Sequence, residues 1–320
     1  MKLFKRLSLS VAALALSAGA AWAAYPERPV TLIHGFGAGG NADTVARLIA
    51  AELEKKLGQP VIVESRTGAG GTIASAHVAK AEPDGYTLIL LTGGHTASAA
   101  MRESLPYDPV DDFAMISTVT QFPFVIAVSG KSDIQNLQQL VERARAKSES
   151  VTFSSVGVGS TQHLTGELLA SAAKADMLHV PYRGGGAPVM AVMGGEVDVL
   201  VDTATVAGPH IESGGLRALA VTSSDTWPAL SSVPTAATVL PGFEVMSWLG
   251  LAAPAGTPDA VIDQLNAALR DILADDGVKE RLAKLGSDTA YVRPEQMRDR
   301  IDRDIKTWRD VVKEADIPLQ

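Results

Sequence analysis

The sequence predicts an α/β fold built as two lobes, each a mostly parallel sheet flanked by helices, with two chain crossings between them. Three features predict it. From Pro29 onward, short β-branched runs alternate with amphipathic helical stretches, the order expected of crossover units on a parallel sheet. A largely apolar run from Phe113 to Val128, broken at Gln121 and Pro123, divides two sets of such units and suits two strands that leave one sheet and enter another. A later run, Val245 to Ala253, reads as a strand that returns the chain to the first lobe before its last helices.

The elements follow in order. Val30 to His34 is a strand. Asn41 to Leu57 places Val45, Leu48, Ile49, Leu53 and Leu57 on one helical stripe, which Gly58 ends. Val61 to Glu64 is the second strand, Ile73 to Lys80 a short helix, and Tyr86 to Leu91 the third strand. Beyond the first crossing come helix Leu137 to Ala146, strand Val151 to Ser154, helix Gln162 to Ala173 and strand Met177 to Val180. Helix Ala187 to Met193 and strands Val197 to Val201 and Leu216 to Val221 complete that set. A turn-rich stretch from Trp227 to Gly242 precedes the returning strand. Helices at Pro258 to Leu273, Asp276 to Leu285 and Pro294 to Ala315 close the chain. The expected division is residues 25–124 with 250–320 in lobe 1 and 125–249 in lobe 2. Two crossings make a hinge, and a hinge makes a cleft that can close around a ligand.

The N-terminus assigns the compartment. Lys2, Lys5 and Arg6 precede an apolar run from Leu7 to Trp22, and Ala21-Trp22-Ala23 supplies the small-x-small pattern of a cleavage site. Residues 1–24 therefore read as a secretory signal peptide, with the mature chain starting at Ala24 or Tyr25. The chain has no cysteine, so it carries neither a disulfide nor a lipid-accepting residue after the cleavage site. A free periplasmic protein, not lipid-anchored and expected to be a monomer, is the reading. At 46% apolar content it can bury two ordinary cores without staples.

Charge and composition exclude several partners. The formal net charge is −8, and −11 without the signal peptide, so the footprint of a nucleic-acid binder is missing. Such a surface does not attract anions from a distance, so an anion site here must work by short-range hydrogen bonds. Aromatics at 5% are too few for a platform on which sugars or bases stack.

The chemistry concentrates in four small-residue loops, each between a predicted strand and a predicted helix. These are Gly37-Ala38-Gly39-Gly40, Gly68-Ala69-Gly70-Gly71-Thr72, Ser154 to Thr161, and Tyr182-Arg183-Gly184-Gly185-Gly186. Loops at this edge of a parallel sheet line the crevice where such folds bind ligands. Helix N-termini present unpaired N–H groups and about half a positive charge, and glycine admits a ligand close to the backbone. Arg183 is the only cationic side chain in these loops, so an anion would be held by amides, hydroxyls and bridging water. A single strand-Gly-helix turn is commonly just a tight connection; four at matched positions, two per lobe, point to a site.

Individual residues admit two roles. Asp43 either contacts ligand or pairs with Arg47 four residues on. His163, just inside its helix, either contacts ligand or makes a structural hydrogen bond. Asp202 with Thr203 is expected to line the cleft, and Asp198 to be a turn or edge residue. Gly37 to Ala42 also satisfies a dinucleotide-binding pattern, with Glu64 ending the next strand. Export removes that cofactor from reach, and the second Gly-Ala-Gly-Gly at 68–71 has no role in it. There is no metal-binding His-Glu-x-x-His helix, no Gly-x-Ser-x-Gly elbow and no cysteine nucleophile, and the six histidines are scattered. A noncatalytic binding protein without metal or cofactor is the expectation.

Many short motifs, in order over nearly the whole mature chain, carry a family resemblance. They include Tyr25-Pro26, Gly39-Gly40 with Asp43 and Arg47, Pro83-Asp84-Gly85-Tyr86-Thr87 and Gly159-Ser160 with His163. Further on come Val180-Pro181-Tyr182-Arg183-Gly184, Gly194-Gly195 with Asp198, Val233-Pro234-Thr235, and Ala253 to Pro258. The chain resembles the Bug receptors, the TctC-type solute-binding components of tripartite tricarboxylate transporters. The resemblance implies a two-lobed periplasmic-binding-protein fold of type II, capture of a small carboxylated metabolite, and delivery to the membrane permease subunits. It implies a first binding loop at Phe36, Ala38, Gly39, Gly40 and Asp43, and a second at Gly70, Gly71 and Thr72. The facing lobe would contribute Ser155, Gly159, Ser160 and Thr161. The rival reading is an exported ligand-sensing subunit that uses the same fold to report to a membrane kinase.

Overall fold

The computed structural model describes residues 25–146 and 151–320; the expected signal peptide lies outside them. Strand β1 (Val30–His34) runs parallel to both its neighbours, β2 (Val61–Ser65) and β3 (Thr87–Thr92). All of β1 except Thr31 is buried, as befits a strand covered on both faces. Helix α1 (Asn41–Leu57) buries Val45, Ala46, Ile49 and Leu53, and stops at Gly58, whose left-handed φ of 70° lets its N–H bond Glu54 O. Helix α2 (Thr72–Val78) leads toward β3.

A helix follows β3 that the sequence reading leaves out, α3 (Gly93–Met101). All nine residues are buried, so it has no polar face, and its small residues Gly-Gly-His-Thr-Ala-Ser-Ala-Ala give no amphipathic period. Its start is marked only by Thr92, whose side chain accepts from Gly94 N–H.

The Phe113 to Val128 run is a single 17-residue strand, β4 (Phe113–Ser129), and not the two strands expected. Register shifts near Ser117, Thr120 and Ala127 bend it between the lobes without a turn. Its first part pairs with β9 (Met246–Pro254) as far as Pro123; from Phe124 it pairs with β7 (Val199–Thr203) and from Val125 also with β8 (Leu216–Val221). Pro123, with no N–H to give, falls where the partners change.

The second lobe adds α4 (Leu137–Ala146), β5 (Val151–Ser155), α5 (Thr161–Ala173), β6 (Met177–Pro181) and α6 (Ala187–Gly194). Strand β7 begins two residues later than expected and is followed by a second unpredicted helix, α7 (Ala204–Glu212). Gly208 and Pro209 inside it argue locally against helix; here tertiary packing of Val206 and Ala207 prevails. The chain ends with α8 (Asp259–Ala274), α9 (Asp276–Lys284), β10 (Asp288–Thr289) and α10 (Pro294–Glu314).

Both lobes repeat one strand order. The first runs β2-β1-β3-β9-β4 and the second β6-β5-β7-β4-β8, so the outer ladders are parallel and the crossing strands antiparallel. The crossings lie side by side, Phe122 opposite Ser247 and Pro123 opposite Met246. Thr222 pins them: its hydroxyl donates to Val245 O at 2.6 Å and accepts from Phe124 N–H at 2.8 Å. A small apolar cluster joins Ala97 and Met101 of α3 and Val312 of α10 to Leu164 of α5, tying the lobes together away from the hinge.

Candidate functional site

At the mouth of the cleft the lobes meet through backbone and through one hydroxyl. Gly37 N–H donates to Arg183 O at 3.1 Å, and Gly37 and Gly184 form an isolated parallel bridge. On the other side of the cleft Ser98 Oγ donates to Gly159 O at 2.8 Å. Glycine is required for this approach: a side-chain carbon at Gly70 would lie 2.6 Å from Val158 O, and one at Gly185 2.6 Å from Ala38 O.

Between these contacts lies a cavity of about 40 Å³. Its floor is the crossing strands, with Phe122, Phe124, Ser247 and Leu249, and its walls include Phe36, Val156, Gly184 and Gly185. Four helix N-termini face it, two per lobe. Gly40, Asn41 and Ala42 begin α1, Thr92 caps α3, Thr161 and Gln162 begin α5, and Thr203 precedes α7. Each contributes partial positive charge. Among the described residues no lysine or arginine lines this cavity. The arrangement suits an anion held by oriented dipoles and amides.

The first loop is braced from beneath. Phe36 N–H donates to His34 Nδ1 at 3.4 Å, so Nε2 carries the proton and donates to Asp43 Oδ1 at 3.2 Å. Asp43 Oδ2 accepts from Gly39 N–H at 2.9 Å, and Oδ1 also meets Arg47 at 2.9 Å. Burial pushes the Asp43 carboxyl up, but Arg47, the Gly39 amide and His34 together hold it below the usual carboxylate range. Burial lowers the His34 pKa despite Asp43, so the imidazole is neutral. Asp43 is thus tied to loop and helix, while Phe36, anchored at its carbonyl by Ser65 Oγ at 2.6 Å, reaches the cavity.

The other expected site residues separate into groups. Phe36, Gly40, Thr161, Asp202 and Thr203 line the cavity together. Gly70, Gly71 and Thr72 line a neighbouring space of about 10 Å³ on the far side of Phe36, with Ser75, His95 and Tyr107. Ala38, Gly39, Ser155, Gly159, Ser160 and His163 lie behind or beside the lining. Ser155 Oγ bonds His179 Nε2 at 2.6 Å and accepts from Gly157 N–H, holding its own loop. Ser160 caps α5 by accepting from His163 N–H at 3.2 Å. His163 Nδ1 accepts from Gly159 N–H, Nε2 lies 3.3 Å from Glu167, and the ring stacks on His179 at 3.9 Å between centroids. Burial first, then His163, pushes the His179 pKa down to about 3. Asp198, in the bend before β7, accepts from the N–H and hydroxyl of Thr152, a turn position as expected for it.

Asp202 differs from all of these. It is 2% exposed, its Oδ1 accepts from Thr203 N–H at 2.8 Å, and its Oδ2 meets no protein hydrogen-bond partner. Burial pushes its pKa up to about 6, against the Thr203 amide and hydroxyl and the Gln162 side chain, which approaches without bonding Oδ2. The lining residues that the sequence did not mark as ligand contacts are Asn41, Ala42, Thr92, Phe122, Phe124, Gln162, Val206, Ser247 and Leu249. Only Thr92, a capping type before two glycines, carried a local signal. Among the described residues no group of three or more His, Cys, Asp or Glu could hold a metal ion, and no helix is long and apolar enough to cross a membrane.

Residues 45–317 match the family described as tripartite tricarboxylate transporter family receptor, TctC. The protein BugT of Bordetella pertussis is 33% identical over 100% of this chain and 99% of its own length. A protein of R. palustris solved with adipate superposes with a TM-score of 0.89 at 33% identity, covering 92% of this chain and 99% of that one. MatC of Rhodopseudomonas palustris, solved with bound malate, gives 0.84 at 36% identity, covering 90% and 100%. The fold, a two-lobed α/β periplasmic-binding architecture, is shared with them. The match over most of its length shows that the chain belongs to the receptor family of tripartite tricarboxylate transporters.

Proposed function

We propose that the protein is a noncatalytic periplasmic receptor that closes its lobes, divided at residues 124/125 and 249/250, around a small organic acid and presents it to the permease subunits of a tripartite transporter. One observation carries this reading: four helix N-termini and two glycine loops from both lobes converge on one cavity that no lysine or arginine lines. The acid's charge is met by Gly40 to Ala42, Thr92, Thr161 with Gln162, and Thr203, with Gly184 and Gly185 admitting it close to the backbone. The relatives solved with adipate and malate support a carboxylate, and the pattern of residues 1–24 supports export. A ligand that touches both lobes stabilises the closed arrangement by its differential affinity and so presents a surface formed only when the lobes meet.

The test is mass spectrometry of what purified protein releases on denaturation, followed by thermal unfolding with the recovered compound. The expected result is an organic acid that raises the midpoint in proportion to the logarithm of its concentration. Release of no acid, and no stabilisation by a millimolar panel of mono-, di- and tricarboxylates, overturns the reading.

A further inference from the structure

Helix α3 turns two adjacent stripes toward lobe 2. Ser98 Oγ donates to Gly159 O, and one turn on Arg102 Nη2 donates to Val158 O at 3.4 Å. On the neighbouring stripe Ala97 and Met101 enter the apolar cluster with Leu164 of α5, Val312 of α10 and Ile317. Ile317 belongs to no helix or strand, and backbone bonds put it there. Asp316 N–H donates to Lys313 O and Ile317 N–H to Val312 O, the stop motif of a helix whose next residue is left-handed, here Asp316 at φ 52°. Gln320 N–H then donates to Met101 O at 2.8 Å, which fastens the segment to the end of α3. Residues 315–320 are thus tied to lobe 1 on both sides of Ile317, and Ile317 is buried in a cluster that lobe 2 enters with Leu164. Beyond it an open groove of about 480 Å³ is lined by residues 315–318 and by α5 and β6, so this seam between the lobes is narrow. No member of the cluster lines the ligand cavity.

We infer that residues 315–320 form a clasp, with Ile317 its working side chain, that raises ligand affinity from outside the cavity by holding α5 against α3 and α10 when the lobes are closed. The inference rests on the receptor reading above and adds a determinant to it. Apolar area covered in the cluster is uncovered when Leu164 moves away with lobe 2, so the clasp favours the closed state by differential burial. Dissociation needs opening and is slowed; association onto parted lobes is not affected.

The probe is the acid released from purified wild type or, where none is released, whichever of malate, adipate, citrate and benzoate binds most tightly in titration calorimetry. Ile317→Ala is expected to bind the probe roughly 10-fold more weakly, through faster dissociation in stopped-flow fluorescence at an unchanged association rate. In a Leu164→Ala background the same change should cost about threefold or less, because the partner across the lobes is already gone. Thermal unfolding reports whether each variant is folded; for one that is not, Ile317→Val takes the place of the alanine, with about threefold weaker binding expected. Unchanged affinity in the folded variant, a loss carried by slower association, or the full loss repeated on top of Leu164→Ala each overturns the inference and leaves the receptor reading standing. Release of no acid and binding of none of the four removes the receptor reading and this inference with it.

Discussion

At the scale of single residues, the first binding loop shows how a sequence-level ambiguity resolves. Asp43 satisfies the Gly39 amide, the His34 ring and the Arg47 guanidinium at once. Because Arg47 is largely exposed, its ion pair contributes little; the buried bonds to His34 and Gly39 carry the effect. Asp43→Ala leaves both donors without an acceptor and should destabilise the protein by about 1–3 kcal/mol in urea unfolding. A loss within error would show that the loop stands without its brace. The capping geometry of Asp43 was readable as an i,i+4 pair with Arg47. The His34 contact was not, since it depends on a strand and a helix coming together.

At the scale of elements, two helices escaped the sequence reading for opposite reasons. Helix α3 is buried on every side, so no polar stripe marks it, and α7 contains Gly208 and Pro209. Helices α1, α4 and α10 have one wet face and one dry face, and their boundaries were legible to within a residue or two. Helix α5 shows a local preference subordinated to packing. Gly166 in its interior costs about 1 kcal/mol relative to alanine by propensity alone. A side-chain carbon there would lie 2.1 Å from the Phe153 ring of β5. Gly166→Ala should therefore destabilise by about 1–3 kcal/mol instead of stabilising, and adding Phe153→Leu should recover part of the loss. Stabilisation by Gly166→Ala on thermal unfolding would contradict this packing.

At the scale of the whole molecule, closure and acid sensitivity are the measurable consequences. Gly70, at φ 67°, is pressed against the Val158 carbonyl and the Gly159–Ser160 backbone of the opposite lobe. Gly70→Ala should leave each lobe folded but hold them apart. Small-angle scattering with the recovered ligand added should give a larger radius of gyration than wild type, with weakened affinity; an unchanged radius would contradict it. For acid, burial pushes the His95 pKa down to about 4, against its bond to the Pro109 carbonyl and the Asp108 charge. Its unfolded value is near 6.5, so its contribution is complete above pH 6.5 and is lost as pH falls toward 4, about 3 kcal/mol in all. His179, pushed down to about 3, acts in the same direction. Asp202, raised to about 6, opposes them: its contribution is present below its unfolded value near 3.9 and is lost as pH rises through 6. The two imidazoles outweigh the one carboxyl, so the unfolding midpoint should be lower at pH 4.5 than at pH 7. His95→Gln should flatten that dependence, and an equal slope in the variant would place the acid sensitivity elsewhere.

The sequence by itself determined the alternation of strands and helices, the two crossings, the glycine loops and the family likeness, because hydrophobic period, turn residues and short motifs are local properties. It also pointed to backbone amides as the means of holding an anion, since the loops contain almost no cationic side chains. Only the tertiary structure decided which loops share one cavity. The first and third loops reach it through Phe36, Gly40 and Thr161, the fourth through Gly184 and Gly185, and the second lies behind Phe36. It decided too that Phe122, Phe124, Ser247 and Leu249 form the floor, because crossing strands far apart in the chain meet only once both sheets are formed. Whether a polar atom is buried without a protein partner, as Asp202 Oδ2 is, depends on every element packed around it, and no local pattern can carry that.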